Sequence, residues 1–248
     1  MGDYTFTIFL SASVPSEKRD KKYLENYTRI ENAQIQIEEA VIGLARNIFQ
    51  AGGRIVFGGH PSISPLVAMV ATEFNTDKGV GNKPITIYQS RAFEAVISKG
   101  STDLLALGCT DIVWTDAVAG ERFDPEIKGK SQFEKSLALM RGKMIQERLD
   151  AMVCMGGMEG VEAEFEIFRK IHPEKPVFIL ASTGGASKIL ADAFPHNDLI
   201  RVPDKEYVET AGREKERGAP ARFNIIPYSF LTALIVKEVA GGRQQPDV

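Results

Sequence analysis

Short apolar runs alternate along this chain with longer stretches in which apolar residues recur every three or four positions. The runs are strand-sized: residues 4–10 (YTFTIFL), 54–57 (RIVF), 83–89 (KPITIYQ), 111–115 (DIVWT), 151–155 (AMVCM), 176–181 (PVFILA) and 199–202 (LIRV). The fifth is apolar throughout, which predicts a strand buried on both faces. Residues 33–50 place Ile37, Val41, Leu44, Ala45 and Ile48 on one helical stripe, closed by Gly52-Gly53 as a C-terminal cap. Helices are also predicted over 66–74, over 130–149 (Phe133, Leu137, Met140, Met144 and Ile145 on one face), over 188–194 and over 225–240. A partly exposed helix is expected over 91–100. The charged stretch 16–29 reads as a solvated loop or short helix that covers something. Residues 120–129 read as a surface loop, 205–222 as a loop or exposed helix, and 241–248 as a frayed tail. Alternating strands and helices imply an α/β fold: one doubly wound, mainly parallel sheet flanked by helices, forming a single domain over residues 1–248.

Three of the strand ends run into glycine pairs that precede a helix. The first turn is Gly58-Gly59-His60-Pro61-Ser62-Ile63-Ser64-Pro65, with Ser64 placed to cap the next helix and Pro65 at its first position. The second is Gly156-Gly157-Met158-Glu159-Gly160, followed by the alternating Glu162, Glu164 and Glu166. The third is Ser182-Thr183-Gly184-Gly185. Glycine lets the backbone turn sharply and approach a ligand closely, and a helix start offers unpaired N–H groups to an anion. Tight turns also use glycine for purely steric reasons. Carboxylates in a first helical turn suit its dipole, which is a sufficient account of Glu162 and Glu164. Their alternative is a place among ligands at the carboxyl end of a parallel sheet. Ser11 and Ser13, directly after the first strand, either donate to a phosphate or simply turn the chain. His60 fits a site or a structural hydrogen bond equally well, and Trp114 suits packing better than stacking on a base.

Composition narrows the classes. With 248 residues, 44% hydrophobic and 25% charged, the chain can bury a full core. A net charge of −3 supplies no basic footprint for nucleic acid or an anionic membrane. Cys109 and Cys154 sit in or beside apolar runs as small core residues, and His60, His172 and His196 lack metal-ligand spacing. Neither a metal nor a cofactor is expected. No stretch approaches a membrane span and no signal-peptide pattern opens the chain, so a cytoplasmic protein is expected.

Three segments resemble the LOG-like Rossmann proteins, the group once labelled lysine decarboxylases and widened as the SLOG superfamily. AGGRIVFGGHPSISPLVAMVA (51–71) is similar to that family's "G…LVYGGG…GLMG.VA". MRGKMIQERLDAMVCMGGMEGVEAE (140–164) is similar to its "M..RK..M…ADAFIALPGGxGTxxE", and FLSAS (9–13) to its first strand. The three occur in the family's order and span most of residues 4–195. The resemblance implies a Rossmann-like nucleotide pocket. Members related to plant hormone-activating enzymes cleave the N-glycosidic bond of a nucleoside monophosphate with an arginine and a glutamate, to which Arg141 and Glu164 are similar by position. The pair suits that chemistry: a carboxylate activates water or steadies an oxocarbenium-like sugar, and arginine holds phosphate bidentately. The chain departs from the motif at Gly142 in place of lysine (Lys143 is adjacent), at the extra Glu159, at Val161 in place of threonine and at His60 in place of a third glycine. Each change is of a kind that remodels a catalytic pocket into one that only senses a ligand.

The leading expectation is therefore a protein that binds a nucleotide or a nucleotide-derived small molecule, an ADP-ribose-like signal included, as sensor or processing protein. Phosphate would lie over Gly58–Ser64 (with Gly59, His60 and Ser62) and over Gly156, Gly157, Glu159 and Gly160. Ser11, Ser13 and Thr183 would rim the pocket, with Arg141 near the phosphate and Glu164 near the ribose. The alternatives are a working phosphoribohydrolase that uses the same residues, and a non-catalytic interaction subunit with a vestigial pocket. A homodimer or higher homo-oligomer is a further implication of the resemblance, with helices 66–74 and 225–240 as the surfaces to suspect.

Overall fold

The apolar runs assemble into one sheet of seven parallel strands, in the order β4-β3-β2-β1-β5-β6-β7. The structure is a computed structural model that describes residues 4–16, 21–74, 83–124, 126, 132–207, 209 and 226–242. The strands are β1 (Thr7–Ser13), β2 (Arg54–Phe57), β3 (Ile85–Ser90), β4 (Thr110–Thr115), β5 (Ala151–Gly156), β6 (Val177–Leu180) and β7 (Ile200–Arg201). The helices are α1 (Lys21–Tyr27), α2 (Ala33–Gln50), α3 (Ser64–Phe74), α4 (Lys99–Ala106), α5 (Glu134–Ile145), α6 (Glu159–Ile171), α7 (Gly185–Ala193) and α8 (Tyr228–Gly241).

Alternation along each strand divides the core. Phe6, Ile8 and Leu10 on the β1 side, with Ala151, Val153 and Met155 of β5, bury against α2, α3 and α8. Phe9, Met152 and Cys154 point the other way, against α5, α6 and α7. Every residue of β5 is buried, as its unbroken apolar run requires. The α2 stripe read from the sequence is the stripe that is buried, and α2 meets α8 closely at Gly43, where a Cβ would lie 3.1 Å from Thr232 Oγ1.

Several boundaries move. Ser11, Ala12 and Ser13 are not a turn after the first strand but its last three residues, paired in register with Cys154, Met155 and Gly156. The segment 16–29 contains α1. The helix expected over 91–100 divides into a 3₁₀ turn (Arg91–Val96) and the start of α4, because Ser90 and Ser98 each cap a separate start. Ser64 is not a cap: it is already helical, and its hydroxyl pairs with Ser101 Oγ at 3.1 Å. Most of the surface stretch predicted over 205–222, part of 120–129 and residues 243–248 of the tail lie outside the described residues.

The strand order reverses between β1 and β5. From β1 the chain passes through α2 to β2 on one side, and from β5 through α6 to β6 on the other, so the carboxyl ends of these two strands are the switch point at which open parallel sheets hold ligands.

Candidate functional site

Three elements converge at that reversal. Ser11 near the end of β1, Arg141 in α5 and Glu164 in α6 meet side chain to side chain. Ser11 Oγ donates to Glu164 Oε2 at 2.5 Å, and Arg141 Nε donates to Glu164 Oε1 at 3.3 Å. The arginine is thus held by one nitrogen. Among the described residues, its two terminal nitrogens have no hydrogen-bond partner, and its side chain keeps 21% of its surface. Glu164 is more enclosed, at 13%. Burial pushes its carboxyl above the usual range, while the Arg141 charge and the two hydrogen bonds pull it back down. The result is an enclosed carboxyl that burial holds above its ordinary value, beside a guanidinium whose terminal nitrogens have no partner among the described residues.

Gly160 explains how the guanidinium lies as it does. A Cβ at Gly160 would stand 3.0 Å from Arg141 Nη2, so the first turn of α6 is bare where the arginine crosses it. Glu159, the first residue of α6, is half-buried beside it.

The glycine turn itself is bonded within the protein. Gly156 N donates to Thr183 Oγ1 at 2.7 Å, Gly157 N donates to the Ser13 carbonyl at 2.7 Å, and Ala186 N donates to the Gly157 carbonyl. Gly156 and Gly157 both have positive φ, and a Cβ on Gly156 would lie 2.5 Å from Ile37. Thr183 is fully buried, and its hydroxyl also donates to the Leu180 carbonyl, so it joins the β5 and β6 ends rather than facing outward. The Ser13 hydroxyl has no partner among the described residues.

In the first turn, Ser62 Oγ accepts from Val14 N at 3.2 Å and bonds His60 Nδ1 at 2.8 Å. Nδ1 also accepts from Ser62 N, which leaves the ring proton on Nε2. His60 is exposed and organises the turn, Ser64 is buried against α4, and Gly58 faces Met140 and Met144 of α5. Ser62 is therefore the residue that ties this turn to the end of β1.

Sequence reasoning named Glu162 but missed what it meets, and it missed two further groups near the ends of β5 and β6. Glu162 receives Lys22 Nζ at 2.9 Å and the Tyr23 hydroxyl, both from α1. Asn26 of α1 bonds both the N–H and the carbonyl of Gly185. Asp204, fully buried, accepts from Ala181 N and Ser182 N, and Ser182 Oγ meets the Tyr228 hydroxyl at 2.7 Å. Burial raises the Asp204 carboxyl and the Tyr228 hydroxyl above their ordinary values. Only the charged stretch 16–29 carried a hint of any of this. Among the described residues, no three His, Cys, Asp or Glu side chains are grouped to hold a metal ion, and no helix is long and apolar enough to cross a membrane.

No curated protein matches the chain. Among solved structures it is similar to the crystal structure of TM1055, a structural-genomics target, with 12% identity and a TM-score of 0.46, over 79% of this chain and 90% of that one. That likeness is too slight to argue from. The model of the SLOG cluster3 family matches residues 26–211, a span that holds Arg141, Glu164 and all three glycine turns, while β1 with Ser11 and Ser13 precedes it. The seven-stranded parallel sheet, with its glycine turns at the carboxyl edge, is accordingly that of a member of the SLOG cluster3 family.

Proposed function

We propose that the protein binds a nucleotide or nucleotide-derived small molecule, of the ADP-ribose kind, in the crevice at the carboxyl ends of β1 and β5. One observation carries the reading: Ser11, Arg141 and Glu164, from three separate elements, meet where the strand order reverses, and the arginine's terminal nitrogens have no partner among the described residues. A phosphate takes those nitrogens bidentately. The Glu164 carboxyl, on the second turn of α6, accepts from ribose hydroxyls, and the unpartnered Ser13 hydroxyl donates at the rim. The Gly58–Ser64 turn and the Gly156–Gly160 turn supply the close backbone walls, with Thr183 bracing the second from behind. The protein is read as cytoplasmic and as a homo-oligomer.

A second reading, a phosphoribohydrolase, is favoured by the raised Glu164 carboxyl beside Arg141, since proton exchange at the glycosidic bond needs such a group. A non-catalytic interaction subunit is the third.

The test begins with freshly purified protein, denatured so that released small molecules can be read by mass spectrometry. A co-purified nucleotide is the expected result. Binding of AMP and ADP-ribose is then measured, with Arg141→Ala expected to weaken binding about tenfold or more through loss of a charged hydrogen-bonding partner. A ligand at 100 times its dissociation constant should stabilise the fold by about 2.7 kcal/mol. No thermal shift with any nucleotide would leave only the interaction-subunit reading, and free base with ribose phosphate would favour the hydrolase.

A further inference from the structure

The short helix α1 lies across the starts of α6 and α7, and its polar side chains hold groups at both. Lys22 and Tyr23 reach Glu162 in α6. Asn26 Oδ1 accepts from Gly185 N at 2.6 Å, and Asn26 Nδ2 donates to the Gly185 carbonyl at 3.2 Å. Gly185 is the first residue of α7, and it sits directly on the Gly156–Gly157 turn: a Cβ there would be 2.4 Å from the Gly157 carbonyl oxygen. Asn26 therefore occupies a helix-start N–H at the crevice, of the type that anionic ligands take.

The attachment rests on few apolar groups: Tyr23 is fully buried, Tyr27 packs half-buried on the core, and the other residues of α1 are exposed or half-buried. Seven residues are too few to be helical alone in water, so α1 holds its form through these contacts. Elements with few buried apolar contacts open locally, well before the whole fold.

We propose that α1 is a strap over the β1/β5 crevice, closed by Asn26 on Gly185 and by Tyr23 on Glu162, which a nucleotide displaces on entry. This rests on the nucleotide reading above. The strap competes with the ligand, so the apparent affinity is the intrinsic affinity reduced by the fraction of molecules in which α1 is open. Releasing one neutral hydrogen-bonding partner should raise that fraction, and with it the affinity, about fivefold.

The experiment follows amide hydrogen exchange of α1 and of Gly185 N–H in the full-length wild type, in Asn26→Ala and in Tyr23→Phe, alongside binding of AMP and ADP-ribose. Tyr23→Phe keeps the ring buried and removes only the hydroxyl. Expected are α1 amides that exchange faster than those of α6 in the wild type and faster still in both variants, with nucleotide bound about fivefold tighter by Asn26→Ala. If α1 exchanges as slowly as α6, or if Asn26→Ala binds nucleotide no tighter than the wild type does, the strap is overturned. If both proteins bind nucleotide equally, only the strap fails; if neither binds a nucleotide, the nucleotide reading fails and the displacement proposed here fails with it.

Discussion

At Gly160 the fold and the site make opposite demands. A glycine in the first turn of a helix costs stability relative to alanine, yet a Cβ here would press on Arg141 Nη2, the far end of a flexible side chain. Gly160→Ala should therefore leave stability unchanged or raise it by up to about 1 kcal/mol, while shifting Arg141 and weakening nucleotide binding about tenfold. Thermal melts and titration calorimetry on one sample separate the two effects. Glu164 poses a similar conflict. Burial holds its folded-state carboxyl above the unfolded value, so its contribution to stability is fully present below the unfolded pKa and is lost as pH rises through the folded one. Glu164→Gln should gain stability relative to the wild type as pH rises from acid to neutral, with no such gain below the unfolded carboxyl's value of about 4.3. Urea unfolding across that range reads it. An advantage that persisted in acid would mean that the side chain acts through packing and not through its charge.

At the scale of elements, α5 is fastened at both ends by different chemistry. Near its start, Glu121 accepts from Lys135 N and Ser136 N as a cap from the preceding loop. Beyond its last turn, Glu147 pairs with Arg54 of β2 at 2.5 Å and accepts from the Tyr88 hydroxyl of β3 at 2.7 Å, while Arg54 also reaches Thr86. Both members of the pair are largely enclosed. Removing one leaves the other without its counter-charge, so Glu147→Ala should cost about 3 kcal/mol. Because this network lies toward the amino ends of the strands, nucleotide affinity at the crevice should stay the same, which denaturation and binding on that variant check together. None of these partners was legible beforehand: Arg54 and Glu147 are 93 positions apart, and nothing in the local pattern couples them.

The whole molecule leaves its α2, α3 and α8 layer with apolar side chains outward. Phe230 is 55% exposed, Leu234 45%, Met69 47% and Ile35 53%. Two of these lie on α8 and one on α3, the helices suspected from sequence as subunit surfaces. If α8 forms a homo-oligomer contact, the wild type sediments as a dimer or larger species, and Phe230→Glu with Leu234→Lys shifts it to monomer with its melting temperature nearly kept. A wild type that is monomeric at high micromolar concentration would sink the idea.

How much of this was readable in advance follows from range. The spacing of apolar residues is a local record of burial, so α2 was placed to the residue and all seven strands were found; the glycine turns likewise announced themselves where strands end. The ends of elements were less legible, as at Ser11–Ser13, because a hydroxyl at a strand end looks the same whether it turns the chain or pairs with a neighbour. The candidate pair Arg141 and Glu164 came from a motif, but what surrounds them did not. Ser11 meets Glu164 across 153 positions and Asn26 meets Gly185 across 159, and both depend on β5 lying next to β1 with α1 folded over the junction. Strand and helix periods are thus determined by sequence alone, since each residue's burial preference acts at its own position. Which polar groups face one another was decided only by the tertiary structure, since that depends on the strand order that buries the whole apolar surface at once.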